Sequence, residues 1–272
     1  AIKSNLGIEG KLFNNKLDFV VDIFHDQRNG IFQQRVQVPE YVGVVSNPYA
    51  NVGKMKSYGA DGNISFTQDI TPDFGFTLRG NFTYSKNKVQ NWEQAYLEYP
   101  YLEYNNFPYN SIRGYQAIGL FKDEDDIKYS PKQTFGEVMP GDIKYKDVNG
   151  DGVINSLDER PIGYREDSTP ILNFGLNFSF GWKGFDLAFD FTGGAMGSWY
   201  QQWEQRNPFH DGGNNPQYYM EDTWRLSDIW DADSELIPGK YPMLLIGNSS
   251  HSNYWNSTFW KKNVRYVKLR NL

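Results

Sequence analysis

The stretch DVNGDGVINSLD, residues 147 to 158, sets Asp147, Asn149 and Asp151 at every second position and follows them with Gly152. Short oxygen-bearing side chains on so tight an arc suit a hard cation. Calcium, which takes about six to eight oxygens in a flexible geometry, fits them better than magnesium. In the order of a calcium-binding loop, Asp147, Asn149 and Asp151 stand at the first, third and fifth positions and Gly152 makes the sharp turn. Val153 then offers its backbone carbonyl, and Asp158 closes the loop. Asp158 is shorter than the glutamate usual there, which weakens two-oxygen closure, although Glu159 is adjacent. The alternative is a polar Asn-Gly turn whose carboxylates hold no metal. The flanks exclude a helix pair, because GDIKYK alternates like a strand and Pro161 arrives three residues after Asp158. A calcium ion here is expected to be structural, stiffening a long loop with too little apolar surface to pack on itself.

Other chemistry is thin. His25, His210 and His251 are scattered, with no nucleophile motif beside them, and are expected at the surface. The acidic run KDEDD at 122 to 126 suits a solvated loop, and no glycine-rich phosphate loop is present. Zero cysteines exclude disulfides, thiolate metal sites and a cysteine nucleophile. A net charge of −6 offers no basic face to nucleic acid. Together these features describe a chain that is not an enzyme. Asn-X-Ser/Thr triplets occur at Asn63, Asn81, Asn177, Asn248 and Asn256, but the first three fall inside strand-like sequence, where a glycan is not a sensible reading. Two aromatic stretches, NWEQAYLEYPYLEYNNFPYN from 91 and SWYQQWEQRNPF from 198, could meet a partner or the flat faces of sugars, or could pack loops on one another.

The elements that position these residues are strands. From 74 to 84 the even positions read Phe, Phe, Leu, Gly, Phe, Tyr, while the odd ones are polar or Gly. The same alternation runs from Leu172 to Trp182 and from Phe185 to Phe191, and more weakly through Leu6 to Phe13, Leu17 to Ile23, Tyr58 to Phe66 and Val264 to Leu272. About seven strands are predicted, at 6–13, 17–25, 57–67, 74–86, 171–182, 185–194 and from 263 onward. Several approach the roughly 9 to 11 residues of a membrane-crossing strand, longer than the usual 5 to 6. Tight joints at Asn14–Asn15, Pro72 and Lys183–Gly184 alternate with long connections at 26–56, 87–169 and 195–261. This asymmetry is that of an outer-membrane barrel, with short periplasmic turns, long extracellular loops, and apolar faces toward lipid. Tyr84 and Trp182 suit interfacial girdles. The rival is a soluble, calcium-stabilised carbohydrate-binding β domain whose apolar faces form a core.

The chain resembles the carboxy-terminal barrel region of SusC/RagA-type TonB-dependent transporters of the Bacteroidetes. The motifs that carry the likeness are GYQAIGLFKDEDDI leading to PGDIKYKDVNGDGVINSLDERPIG, the pair ILNFGLNFSFGWKGFDLAFDFTGGAMG, and STFWKKNVRYVKLRNL. The resemblance implies an all-β, transmembrane antiparallel barrel of about 22 strands, of which residues 1–272 supply about seven, with the plug domain and last strands lying outside. It further implies TonB-coupled import of oligosaccharides or peptides across the bacterial outer membrane, a SusD-like surface lipoprotein as lid, and an energy-supplying TonB complex. Region 87–169 becomes an extracellular loop that carries the calcium-type loop 147–158. The residues expected to face the lumen and meet a ligand are Asp61, Asn63, Arg79, Asn81, Asn173, Asn177, Asp186 and Asp190. Neutral amides beside carboxylates suit hydroxyl-rich ligands.

Overall fold

The computed structural model describes residues 1–39, 43, 45–165, 169–231, 233–245 and 251–272, with backbone alone at 165. The Asn248 triplet lies outside them. Seven long strands form one antiparallel sheet: β1 (Ile2–Leu12), β2 (Leu17–Gln34), β3 (Tyr49–Thr71), β4 (Phe74–Asn91), β5 (Leu172–Trp182), β6 (Phe185–Tyr200) and β7 (Lys261–Asn271). Their order in the sheet is their order in the chain, so every strand pairs with its sequence neighbours. Tight turns join β1 to β2, β3 to β4 and β5 to β6, and the first and third of them run through left-handed backbone. Asn14 and Asn15 sit at φ 56° and 64°, and Lys183 and Gly184 at 48° and 84°.

Several strands outrun the alternation that revealed them. β2 continues to Gln34 and β3 begins at Tyr49, so most of the expected 26–56 connection is paired strand, with register shifts around Asn29 to Phe32. Alternation reports which residues face an apolar medium. Ladder hydrogen bonds need no such contrast, and they persist where both faces are wet.

Direct cross-strand partners project to the same face, so the register sorts the side chains. One face carries Leu6, Ile8 and Leu12 of β1, Leu17, Phe19, Val21 and Ile23 of β2, and Ile64 and Phe66 of β3. It continues through Phe76, Leu78 and Phe82, then Phe174 to Phe180, then Leu187 to Phe191. A sandwich would bury this face, yet Ile8, Ile23, Ile64 and Leu187 remain 58, 56, 50 and 48% exposed. At the turn end the face finishes in the aromatic row Phe74, Trp182, Phe185, and at the other in Tyr84 beside Leu172. Ten residue steps separate the two rows. At about 3.3 Å per step and a tilt near 40°, that is about 25 Å along the membrane normal, the height of the apolar band of an outer-membrane barrel.

The chain divides into two compact units. The first is Ala1–Ser111, Tyr164–Ser198 and Asn263–Leu272, which holds the sheet, and the second is Ile112–Gly163 with Trp199–Lys262. The second unit overturns the expectation that the long loop lacks apolar surface. Ile112, Tyr115, Ile143, Tyr145, Ile154, Tyr200, Tyr219 and Trp260 form a core of their own. Its rings were hidden among aromatics distributed without periodicity, at 115, 145, 200, 219 and 260, and two distant segments supply them. Two of the polar groups inside it are held by backbone carbonyls, as buried polar groups usually are. Trp260 Nε1 donates to the Asn253 carbonyl at 2.6 Å, and the Tyr145 hydroxyl to that of Ser252 at 2.6 Å.

Candidate functional site

The opposite face of the sheet is polar, and the register arranges it in rows. One row runs Lys11, Asp18, Ser65, Arg79, Asn177, Asp190; the next runs Glu9, Val20, Asn63, Asn81, Gly175, Thr192; a third runs Gly7, Asp22, Asp61, Thr83, Asn173, Gly194. Asp186 lies nearer the turns, across from Gly181 and Gly75. All eight residues expected to face the lumen therefore share one wall. Asp18, Asp22, Glu9 and Lys11 share it too, although the weaker alternation of β1 and β2 left them unmarked. Strand pairing, which a single sequence does not print, is the signal that finds them.

Hydrogen bonds tie part of this wall together. Ser179 Oγ donates to Asn177 Oδ1 at 2.9 Å, and Asn177 Nδ2 donates to Asp190 Oδ1 at 2.6 Å. Asn271 Nδ2 reaches the other Asp190 oxygen at 3.2 Å. The Asn177 carboxamide is thus fixed in orientation, whereas Asn173 turns aside to the Pro170 carbonyl at 3.0 Å. Polar side chains also lie over glycines across the ladder. A Cβ on Gly175 would stand 3.0 Å from the Asn81 carboxamide, and one on Gly7 2.6 Å from Asp22 Oδ1. Small partners give the long polar groups room to lie flat, and the result is a smooth, hydrogen-bonding surface.

The loop at 147–158 has the flanks its sequence predicts. Ile143–Tyr145 pairs antiparallel with Ala117–Leu120, and the exit is a single 3-10 turn, Ser156–Asp158, followed by strand Arg160–Arg165. Asp147 accepts the amides of Gly150 at 2.6 Å and Gly152 at 2.8 Å, and Asp151 accepts that of Val153 at 2.8 Å. Gly152 sits at φ +83°, a conformation that disfavours any side chain. Asp158 is fully buried and bonds the amides of Val148 at 2.7 Å and Asn155 at 2.9 Å, closing the arc from within. Lys132 and Thr134 donate to the Gly152 and Ile154 carbonyls. Successive carbonyls of an extended segment alternate in direction, so that of Val153 points away from this ladder. Ile154, fully buried, anchors the loop in the core.

As arranged, the carboxylates organise backbone. Each ionised carboxylate has about four acceptor sites, so one amide per oxygen leaves capacity for a cation, and the donor set of hard oxygens fits calcium. Among the described residues no three His, Asp or Glu side chains converge as a metal centre on their own. A cation here would depend on the Asn149 and Val153 oxygens as well.

His251 departs from the surface position expected of it. Its side chain is 10% exposed, its Nδ1 caps a 3-10 turn by accepting the Asn253 amide at 3.2 Å, and its Nε2 stands 3.8 Å from Asp142 Oδ2. Asp142 is fully buried, and burial pushes its carboxyl above the usual range against the hydrogen bonds from the Met139 amide and Asn253. The acidic run is also more than a solvated loop. Asp123 caps the short helix Glu124–Lys128, and Asp126 pairs with Lys144 at 2.7 Å, which holds its carboxyl below the usual range. Of the aromatic stretches, Tyr200 is buried, whereas Tyr96 and Trp203 are 89 and 69% exposed, so neither reading takes the whole set.

Residues 3–152 match the family model described as TonB dependent receptor-like, beta-barrel. Curated relatives come from Formosa agariphila. TonB-dependent receptor P39 is 22% identical over 99% of this chain and 28% of its own length, and TonB-dependent receptor P3 is 24% identical over 71% of this chain and 20% of its own. Among solved structures, the RagAB peptide importer in its open-open state superposes with a TM-score of 0.67 at 19% identity, covering 98% of this chain and 27% of that one. Another structure of the RagAB peptide transporter gives 0.63 at 18% identity. The chain thus spans a fifth to just over a quarter of the length of these relatives.

Proposed function

Because the chain belongs to the TonB dependent receptor-like β-barrel family of the bacterial outer membrane, and is of the SusC/RagA type in motif and fold, we propose that it forms lumen wall and outer loops of an energy-coupled importer. The cargo is an oligosaccharide or a peptide, the lid is a SusD-like lipoprotein, and a TonB complex supplies the energy. The observation that carries the reading is the division of the sheet into an apolar face about 25 Å tall and a polar wall of amides and carboxylates, with tight turns at one end and long connections at the other. The Asn63–Asn81 row, with Asn173 and Asn177 on the neighbouring strand, offers amide donors and acceptors, which suit hydroxyls and peptide groups alike. The solved neighbours are described as peptide transporters, and this favours peptides within that pair.

The test is uptake by cells carrying the full-length parent. Labelled oligosaccharide and labelled peptide pools are supplied with and without a protonophore, and to the double variant Asn81→Ala, Asn177→Ala. Protonophore-sensitive uptake of one pool, reduced in the variant, supports the reading. Uptake that is indifferent to the protonophore contradicts energy coupling.

We further propose that the 147–158 loop binds calcium as a structural clip, with Asp147, Asn149, Asp151, the Val153 carbonyl and Asp158 as its oxygen donors. Calorimetry of the parent against the Asp147→Ala, Asp151→Ala double variant tests this, and unchanged calcium binding in the variant would refute it.

A further inference from the structure

The apolar face has one break in its relief. At Gly80 the side chain is missing, and the methyls of Ile64 and Leu176 settle over the strand, 3.3 and 3.4 Å from where a Cβ would stand. Around this lowered floor stand Phe19, Val21, Phe82 and Phe174, enclosing an open groove of about 450 Å³. Phe82 holds its place because Gly62, its direct cross-strand partner, leaves room for the ring, 3.2 Å from the site of the absent Cβ. Asn63 and Asn81 enter the lining through strand backbone, since their side chains belong to the opposite face. Ile64, Leu176 and Phe82 nevertheless remain 50, 40 and 36% exposed. No side chain of the sheet fills the groove.

Depth and medium identify what does. Gly80 lies six residues from the aromatic row at Phe74, about 15 Å along the membrane normal for a tilted strand, and so close to the middle of the apolar band. The groove is continuous with the face that this family turns to the bilayer, and water at that depth has no polar partners. We propose that the groove over Gly80 seats one acyl chain of an outer-membrane lipid, held by packing against the four walls. In a hydrocarbon medium the hydrophobic effect gives no preference between sites on this face, so van der Waals contact decides. The walls add on the order of ten carbon contacts over the flat face, worth about a tenfold preference.

The full-length parent is reconstituted into vesicles of phosphatidylethanolamine carrying a photoactivatable diazirine at the acyl terminus, irradiated, and mapped by peptide mass spectrometry. Adducts are expected to concentrate at Ile64, Phe82 and Leu176, about tenfold over Ile8 and Phe191, which share the face and lie level with Phe82 and Gly80 outside the groove. Gly80→Leu raises the floor and should level that difference, and Phe82→Ala removes one of the four walls and should shrink it at Ile64 and Leu176. Leu6→Ile, remote from the groove, should change nothing. An even spread of adducts in the wild type, or a concentration that survives Gly80→Leu, overturns the proposal. Loss of cargo uptake bears on the transport reading and leaves this result untouched. Adducts absent from the whole face would instead overturn its assignment to the bilayer, and the proposal with it.

Discussion

Replacing Asp158 by alanine should loosen the acidic loop far more than replacing Asp147, although Asp147 opens the calcium-type motif. Asp158 has no solvent exposure and accepts two backbone amides, Val148 at 2.7 Å and Asn155 at 2.9 Å. A hydrogen bond to a charged group contributes about 1.5 to 3 kcal/mol, and a buried donor left unpaired costs about 1 to 3. Losing both bonds, with partial rescue of the part-buried amides by water, should cost about 3 to 4 kcal/mol of local stability. Asp147 also accepts two amides, but the Gly150 and Gly152 groups are exposed and water replaces the carboxylate, so about 1 kcal/mol is expected. Hydrogen exchange of the parent in a calcium-free buffer, followed at peptides covering 146–158, reads the difference. Asp158→Ala should raise the exchange rate there by two orders of magnitude or more, at about 1.4 kcal/mol per decade, and Asp147→Ala by less than one. If the two variants exchange alike without calcium, the internal closure by Asp158 is not what holds the loop.

Three further outcomes follow from the same geometry. Trp260 is fully buried and stacks with Tyr219 at 6.0 Å between ring centres, so Trp260→Ala should destabilise the second unit by about 3 to 5 kcal/mol, measured by thermal or denaturant unfolding of the parent. The Asp142 carboxyl is raised above its ordinary value of 3.8 by burial, so its contribution favours the fold below that pH and is lost as pH rises through the folded-state value; the wild type should lose stability along that limb and Asp142→Asn should not, and parallel pH profiles would refute this. Phe178 and Ser179 are neighbours on opposite faces near mid-band, so Phe178→Arg should cost about 2 to 4 kcal/mol of barrel stability and Ser179→Arg little, read by urea unfolding in vesicles.

Much of the sheet was legible because a membrane imposes a two-residue period. Every strand bordering the apolar band was found, from Leu6 to the final segment at 263, and the turns at Asn14–Asn15, Pro72 and Lys183–Gly184 lie where the residue types demand. Strand length was not, because β2 beyond His25 and β3 before Tyr58 pair without an apolar face to announce them. The placement of Asp61, Arg79, Asn81, Asn173, Asn177, Asp186 and Asp190 on one wall follows from parity. Their neighbours and the Ser179–Asn177–Asp190–Asn271 chain follow from register and were out of reach. The second unit was least legible. Its core is assembled from segments as far apart as Ile112 and Trp260, as when the Ile143 amide donates to Asn253 Oδ1 at 2.8 Å, and no local period marks such contacts.

The central claim is that one face of the sheet meets lipid while the other lines a wet lumen. This chain has no cysteine, so single cysteines placed at 76 to 82 in a cysteine-free full-length parent can be labelled in outer-membrane vesicles with a charged methanethiosulfonate. Positions 77, 79 and 81 should react, while 76, 78 and 82 should resist and instead sense a paramagnetic quencher dissolved in the bilayer. Equal reactivity along the strand, or reactivity at 76, 78 and 82 alone, would contradict the account.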